Sequence, residues 1–529
     1  MTKTVDCFLI GHNTQPLEEY EKNLKNMGDP YEWREFERFT LRYDNRSYRI
    51  MELLNTFYCK RNSVAPLKMG DVFSNTIAYL GTFLHRRGLT FDFVNSFRGE
   101  KKELAEKLSK ENILTIAVTT TLYTAPFPII EIIRFIRKYN RTAKIIIGGP
   151  HIFSQARCLP RRELEALLQL FDADFVVNSH QGETALVNII RSLKQNLSLK
   201  QISNIWYKTD KGFAATPILT EDNNLMENMI KWELFADRIG EFVNVRTATG
   251  CPFSCAFCTT HEMNRKKYRC VGVEAMEKEL NSLNRIESIK YVIFIDDTFN
   301  VPPEQFKERL RMLGRNNYRF KWISLFRCQF ADEETVRMMK ETGCVLVFLG
   351  LESGNNHVLK NMNKKVAVEE YHKGIALLKK YGILTFGSFV VGFPGETRES
   401  ISDTVNFINK TGLDFCNLCF WYCSKIAPIW EKREQYNLEG EGCVWKHLTM
   451  DSKTADYLIE EMILSIDDKQ TALVRDGRFD MEIVPFMVNR GMSVKQIKEF
   501  LRVFTAEIKK KLLNPGQETD LEVFRSFEI

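Results

Sequence analysis

The sequence predicts an α/β architecture in three parts: a doubly wound first region, a second region of strand and helix repeats, and a mainly helical tail. Three observations carry this. Short β-branched runs alternate with amphipathic segments from residue 5 to about 205, the alternation resumes from 242 to about 422, and a polar stretch containing Pro217 separates the two. At 529 residues the chain is too long for one ordinary core. Its 44% hydrophobic and 27% charged residues are those of a chain that folds in water. The expected boundaries are 1–205 for the first domain, with an insertion at about 18–68, then a linker at 206–235, a second domain at 236–430 and a tail at 431–529.

In the first region, 5–10 reads as a buried strand ending in Gly11-His12-Asn13, and the polar, aromatic stretch after Glu18 reads as the insertion. A helical pattern over 75–87 stops at Gly88, a favourable C-terminal cap. Strands are expected at 91–94, 113–118, 144–147 and 175–177, with helices at 101–110 and 128–138. Ile129, Ile132, Ile133 and Ile136 share one face of the second helix. Such alternation implies a parallel sheet whose ligand site lies beyond the carboxyl ends of the strands. Thr119-Thr120-Thr121, Gly148-Gly149-Pro150-His151 and Gln181-Gly182-Glu183 stand at those ends.

In the second region, strands are expected at 242–246, 291–295, 320–325, 345–349, 385–391 and 415–421, and helices at 273–283, 303–313 and 367–380. Six such units make a partial barrel, with its chemistry on loops at the strands' carboxyl ends. The first of these loops carries Cys251, Cys255 and Cys258 as C-x3-C-x2-C. Three thiolates can hold three irons of a cubane, whereas full ligation by protein needs a fourth. A zinc site would also need a fourth ligand, and His261 is the nearest. Asp296 and Asp297 follow the second strand, where carboxylates suit either a cationic amine or a helix cap. Arg327 follows the third and suits a carboxylate, from a ligand or from the chain. Glu352, Ser353 and Gly354 follow the fourth, and Gly392 begins the loop after the fifth. Cys416, Cys419 and Cys423 could hold part of a second cluster, or serve as core residues. Strand alternation turns Cys416 away from the other two. The tail reads as helices at 455–464, 470–474 and 493–512.

The cysteine triplet, with Phe257 before its last member, resembles the radical S-adenosylmethionine (SAM) superfamily. Preceded by the glycine-rich loops of the first region, it makes the whole chain resemble cobalamin-dependent radical SAM methyltransferases. Among these the chain is most similar to the phosphinothricin-pathway P-methyltransferase-like group. The resemblance implies an N-terminal Rossmann-like cobalamin-binding domain and a central partial (β/α)6 TIM-type barrel. It implies a 4Fe-4S cluster on Cys251, Cys255 and Cys258, and SAM contacts from Phe257, Asp296, Asp297, Arg327, Glu352, Ser353 and Gly392. Cobalamin, as methylcobalamin, would meet Thr119, Thr120, Thr121, Gly148, Gly149, Pro150, His151, Gln181, Gly182 and Glu183. The D-x-H-x-x-G pattern of many free-standing cobalamin domains is missing here. Phe83 takes the aspartate position of the His85-x-x-Gly88 match, so no histidine is expected to ligate cobalt from below; His12, His151 and His180 are loop candidates for contact.

The activity implied is cleavage of SAM to a 5′-deoxyadenosyl radical and transfer of a methyl group from methylcobalamin. The acceptor would be an unactivated carbon or a phosphinate phosphorus of a small-molecule or peptide intermediate. A cyclase, oxidase or rearrangement enzyme without net methyl transfer is the alternative, and a cobalamin and iron-sulfur sensor is a reading of another class. The resemblance also implies a reductant such as flavodoxin or ferredoxin. Lys and Arg (74) exceed Asp and Glu (68) by little and are spread along the chain, which predicts no nucleic-acid partner. No apolar run is long enough to span a bilayer and the N-terminus lacks a signal-peptide core, so a cytoplasmic protein with no membrane partner is expected. In that reducing compartment thirteen cysteines point to metal binding or catalysis rather than to disulfides.

Overall fold

The computed structural model describes residues 3–527 other than 29, 122, 124, 265, 478, 479, 517 and 518. Its contacts divide the chain into two units, one of residues 1–15, 68–245 and 274–290 and the other of residues 16–67, 246–273 and 291–529.

The first unit is built on the parallel strands β1 (Thr4–His12), β2 (Phe91–Ser96), β3 (Asn112–Thr119), β4 (Lys144–Gly148) and β5 (Phe175–Val177). β1 pairs with both β2 and β3, aligning Phe8 with Asp92 on one side and Ile116 on the other. Val5, Cys7, Phe8, Leu9 and Ile10 are all buried, as expected of a strand covered on both faces. The helix Phe127–Tyr139 lays Ile129, Ile132, Ile133 and Ile136 into the same core as Phe8 and Ile116. Spatially the strands run 2-1-3-4-5, so the direction of winding reverses between β1 and β3 and opens a crevice at their carboxyl ends. The linker expected at 206–235 begins inside this sheet. Strands β6 (Ile205–Thr209) and β7 (Gly212–Ala215) form an antiparallel hairpin on its edge, with Tyr207 opposite Phe175.

The second unit carries β8 (Tyr291–Phe294), β9 (Lys321–Phe326), β10 (Cys344–Glu352), β11 (Leu384–Val391), β12 (Phe415–Phe420) and β13 (Ala472–Leu473), all parallel and adjacent in chain order. Sequential order without reversal is the arrangement of a barrel wall. The first expected strand of the barrel, Phe242–Val245, is present and pairs with Val72–Phe73 within the first unit. The helix expected at 470–474 is instead β13: Ala472 N donates to Asp414 O and Val474 N to Cys416 O. Five residues are too few to declare a helical period, and an apolar run of that length pairs equally well as a strand. The tail has its helices, Ser452–Ser465, Ile483–Asn489 and Val494–Leu513, together with a small antiparallel sheet of Glu439–Glu441, Val444–His447 and Met450–Asp451.

The insertion expected within the first domain belongs to the second unit. Its helix Pro30–Arg38 places Arg38 Nη2 2.6 Å from Asp456 Oδ1, with both side chains buried. Tyr31 packs on Phe420 with ring centroids 4.2 Å apart, Arg475 Nε lies 2.8 Å from Glu35 Oε1, and Arg49 Nη1 donates to Asp476 O at 2.9 Å. Polar and aromatic composition marked the segment as an excursion, but not the surface that receives it. Among the described residues no helix is long and apolar enough to cross a membrane.

Removing one member of a buried ion pair leaves the other charge uncompensated. Asp456→Ala is expected to lower unfolding free energy by about 3–5 kcal/mol in urea titrations, and Arg38→Met in the same chain should restore most of the loss.

Candidate functional site

The cysteine loop of the second unit is fixed before any cofactor is considered. Asp296, just beyond β8, is buried and accepts hydrogen bonds from Thr247 N at 2.6 Å, from Ala248 N at 2.8 Å and from the Thr247 hydroxyl. Gly250 follows with φ of 74°, and a Cβ there would lie 2.1 Å from Lys267 O, so only glycine fits this turn. Farther on, Ala256 N donates to Met362 O, Ile429 N to Ala256 O and Asn363 Nδ2 to Ser254 O. Cys255 is buried, while Cys251 and Cys258 are half-buried. Burial pushes the Cys255 thiol up, and Lys364 and Arg327 act against that shift.

Among the described residues no three His, Cys, Asp or Glu side chains converge closely enough to hold one metal ion. A cubane asks for something different, since each thiolate binds a different iron. The residues around Cys255 fit an anionic cluster with a ligand beside it. Arg327 is buried, with Nη2 3.7 Å from Cys255 Sγ and 3.0 Å from Lys364 O, and its guanidinium carbon lies 3.6 Å from the centroid of Phe253. Its Nη1 is buried with no hydrogen-bond partner, a donor left for a ligand. Asn300 clamps the Arg327 backbone, accepting from its N at 3.0 Å and donating to its O at 2.9 Å. Lys364 Nζ is 2.8 Å from Glu352 Oε1 in a second buried pair and 5.6 Å from the centroid of Phe257. Glu352 adopts φ of 66°, a left-handed conformation uncommon for a glutamate.

The geometry thus brings Cys255, Arg327, Phe257 and Glu352 together and sorts the remaining expected SAM residues. Both Asp296 carboxylate oxygens are engaged by the cysteine loop, whereas Asp297 is exposed, with Thr260 Oγ1 3.4 Å away. Ser353 is buried against Thr404, Oγ to Oγ1 3.3 Å, and holds Asn355 N. Gly392 has φ of 98°, and a Cβ there would meet Trp445 at 2.5 Å, so its smallness serves packing against that indole. Lys364 was missed by sequence reasoning; it follows a short helix, Asn356–Asn361, in a loop with no spacing signal. Cys416 is fully buried and Cys419 half-buried with Sγ 3.8 Å from Ser388 Oγ, while Cys423 bridges through its backbone to Gly442.

At the crevice of the first unit, His12 ends β1, Thr119 ends β3 and Gly148 ends β4. Thr120 is buried and its hydroxyl donates to Gly148 O at 3.0 Å, while Thr119 and Thr121 join hydroxyls at 2.7 Å. Gly149, with φ of 118°, passes so close that a Cβ would stand 3.0 Å from Thr120 Oγ1. Pro150 opens the next helix, Pro150–Cys158, and places His151 in its first turn. The Nε2 atoms of His12 and His151 are buried without a hydrogen-bond partner, and burial pushes both imidazoles down, His12 to about 4, so both are neutral at pH 7. Two such atoms at the carboxyl edge of a parallel sheet fit a site completed by a polar ligand. His180 packs against Phe153, with ring centroids 5.7 Å apart. Gln181 and Glu183 are both hydrogen-bonded by Asn223: Gln181 Oε1 accepts from Asn223 N and Glu183 Oε2 from Asn223 Nδ2, both at 2.7 Å, with Gly182 between them at φ of 79°.

Residues 245–408 match the family model of the radical SAM superfamily. The chain carries a radical SAM domain. This domain spans the cysteine loop, Arg327, Glu352 and Lys364. An uncharacterized methyltransferase of Pyrococcus horikoshii is 26% identical over 343 residues, covering 64% of this chain and 72% of that protein. The anaerobic magnesium-protoporphyrin IX monomethyl ester cyclase of Cereibacter sphaeroides is 24% identical over 379 residues, 67% of this chain and 59% of the cyclase. Among solved structures, the radical SAM methyltransferase TsrM of Kitasatospora setae with cobalamin and a [4Fe-4S] cluster bound aligns with a TM-score of 0.61 at 15% identity, over 83% of this chain and 96% of TsrM. The cobalamin-dependent SAM radical enzyme OxsB with aqua-cobalamin aligns at 0.60 and 13% identity, over 98% of this chain and 74% of OxsB. These structures share the fold of this chain.

Asp296→Ala should leave the Thr247 and Ala248 donors unsatisfied, cost about 1–3 kcal/mol and lower iron content after reconstitution, whereas exposed Asp297→Ala should change stability by no more than about 0.5 kcal/mol. Glu396 gives a pH prediction. Its Oε2 accepts from Gly392 N at 2.6 Å, and burial pushes the carboxyl up from 4.5 to about 8. Between those values the unfolded carboxyl ionises while the folded one keeps its proton, so stability falls as pH rises. Urea titrations should show wild type losing stability relative to Glu396→Gln between about pH 5 and about pH 8.

Proposed function

We propose that this protein is a cobalamin-dependent radical SAM methyltransferase acting in the cytoplasm on an unactivated carbon, or a phosphinate phosphorus, of a small-molecule or peptide intermediate. The observation that carries the reading is the pairing, on one chain, of a cysteine loop lined by buried cations with a separate 2-1-3-4-5 sheet that holds two unpartnered imidazoles at its carboxyl edge. Cys251, Cys255 and Cys258 would hold the cluster, and the crevice around His12, Thr119, Thr120, Thr121, Gly149 and His151 would hold cobalamin. When bound, the cluster supplies the electron that cleaves SAM and cobalamin supplies the methyl group.

The chain's own residues bind and orient. Arg327 offers Nη1 to the SAM carboxylate while Nη2 stays on Cys255. Asp297, the exposed member of the acidic pair, accepts from the SAM amino group; Asp296 keeps the loop in place. Glu352, oriented by Lys364, keeps carboxylate lone pairs for ribose hydroxyls, and the Phe257 ring, packed edge-on against Phe393 with centroids 6.4 Å apart, shields the cysteine loop from water. A cyclase without net methyl transfer is the second reading, favoured by the cyclase similarity over 67% of this chain.

The test is product analysis of the reconstituted chain with SAM, hydroxocobalamin and a reductant. Wild type should form 5′-deoxyadenosine together with S-adenosylhomocysteine, and Cys255→Ala should form neither. Sustained 5′-deoxyadenosine without S-adenosylhomocysteine selects the cyclase-type reading. A full cubane in the Cys255→Ala protein would refute the ligand assignment.

A further inference from the structure

The helix Val368–Lys380 packs on the short helix Cys328–Phe330, which begins directly after Arg327 and so shares in placing that guanidinium beside Cys255. The contact is tight: a Cβ on Gly374 would stand 2.2 Å from Cys328 O, so glycine is what lets the two backbones meet. One turn earlier, Tyr371 is 1% exposed, its N donates to Ala367 O and its ring packs against Phe407 with centroids 6.2 Å apart. The hydroxyl of this tyrosine is buried with no hydrogen-bond partner. Burial pushes the phenol well above its usual range, and the other groups close enough to act on it are Cys328, Glu352, Arg327 and Cys255. The hydroxyl therefore lies among the residues of the candidate site. A buried donor left unmet calls for a partner.

We propose that Tyr371 is a positioning residue for the cluster, its hydroxyl donating to the Cys255 sulfur as an iron-bound thiolate and raising the cluster's reduction potential. The inference rests on the cysteine loop holding a cluster. Its neighbours narrow the choice of acceptor. Arg327 carries only donors. Cys328 is buried, with its thiol pushed up to about 12 by that burial, so it stays neutral and accepts weakly. Glu352 has Oε1 held by Lys364 Nζ at 2.8 Å. Cys255 is the neighbour whose acceptor strength changes, because a thiol accepts weakly and a thiolate strongly. Arg327 Nη2 already lies 3.7 Å from that sulfur, and the hydroxyl adds a second donor. Donors on cluster sulfurs favour the reduced state, which carries one more negative charge.

The experiment compares the reconstituted full-length chain, wild type against Tyr371→Phe, a change that keeps the ring on Phe407 and removes only the hydroxyl. Equal iron and sulfide contents are expected, with the potential of the variant lower by about 59 mV in an anaerobic redox titration followed by EPR. That shift is a tenfold change in the reduction equilibrium of a one-electron couple. Before reconstitution the variant should have a urea midpoint no lower than wild type, because its missing hydroxyl leaves no protein partner unmet. An unchanged potential at equal cluster content overturns the proposal. So does a lower urea midpoint before reconstitution, which would assign the hydroxyl a structural partner. An unchanged potential together with a SAM dissociation constant raised about tenfold overturns it in favour of Glu352 as the acceptor. Should the variant take up iron poorly, 3,5-difluorotyrosine at position 371 retains the hydroxyl as a stronger donor and should raise the potential; no rise overturns the proposal. Failure of both wild type and variant to take up iron rejects the cluster assignment itself, which separates the two readings.

Discussion

Asp296 accepts three hydrogen bonds from the chain as it turns from Val245 into the cysteine loop, from the amides of Thr247 and Ala248 and from the Thr247 hydroxyl, and the course of that loop depends on this carboxylate. Without it, two backbone amides and a hydroxyl would be buried unmet. With it, the tight turn is made at Gly250, where glycine takes the left-handed backbone without penalty, and the remainder of the loop is held by backbone contacts to Met362 and Ile429. A cofactor with one open coordination position needs its other ligands rigid, and here rigidity precedes the cofactor.

Two buried cations, Arg327 and Lys364, stand beside Cys255. Lys364 is matched by Glu352, but Arg327 has only a sulfur, a carbonyl and an aromatic face as neighbours on the atoms that are engaged. A buried guanidinium of this kind is costly in an empty site and becomes favourable once thiolates and a carboxylate arrive. The site is therefore built for anions. The first unit follows a different logic, in which neutral imidazoles and small residues line a crevice whose position is set by where the strand order reverses.

Much of this was legible in the sequence, because alternation of apolar runs and amphipathic segments is a local property. Every parallel strand but Val72–Phe73 and Ala472–Leu473 lies where its β-branched or aromatic run placed it, and the C-x3-C-x2-C spacing singled out the loop. What sequence left open are choices of partner. The two carboxylates Asp296 and Asp297 are indistinguishable in one dimension, yet one is enclosed by donors and the other faces outward. Lys364 becomes part of the site only because Glu352 lies 2.8 Å from it, and Gln181 and Glu183 find a shared partner in Asn223, some forty residues downstream. Residues 16–67 carried composition but no address.

That address has a consequence in time. Arg38 finds its carboxylate partner 418 residues farther along the chain, so at ordinary synthesis rates of about 5–20 residues per second it emerges roughly 20 to 80 seconds before Asp456 exists. Through that interval the first strand, His12 included, tethers a charged, aromatic segment with only its own small cluster of Leu17, Leu24 and Phe36 to pack on. The carboxylate and carbonyl that receive this segment, on Asp456 and Asp476, are made only late in translation.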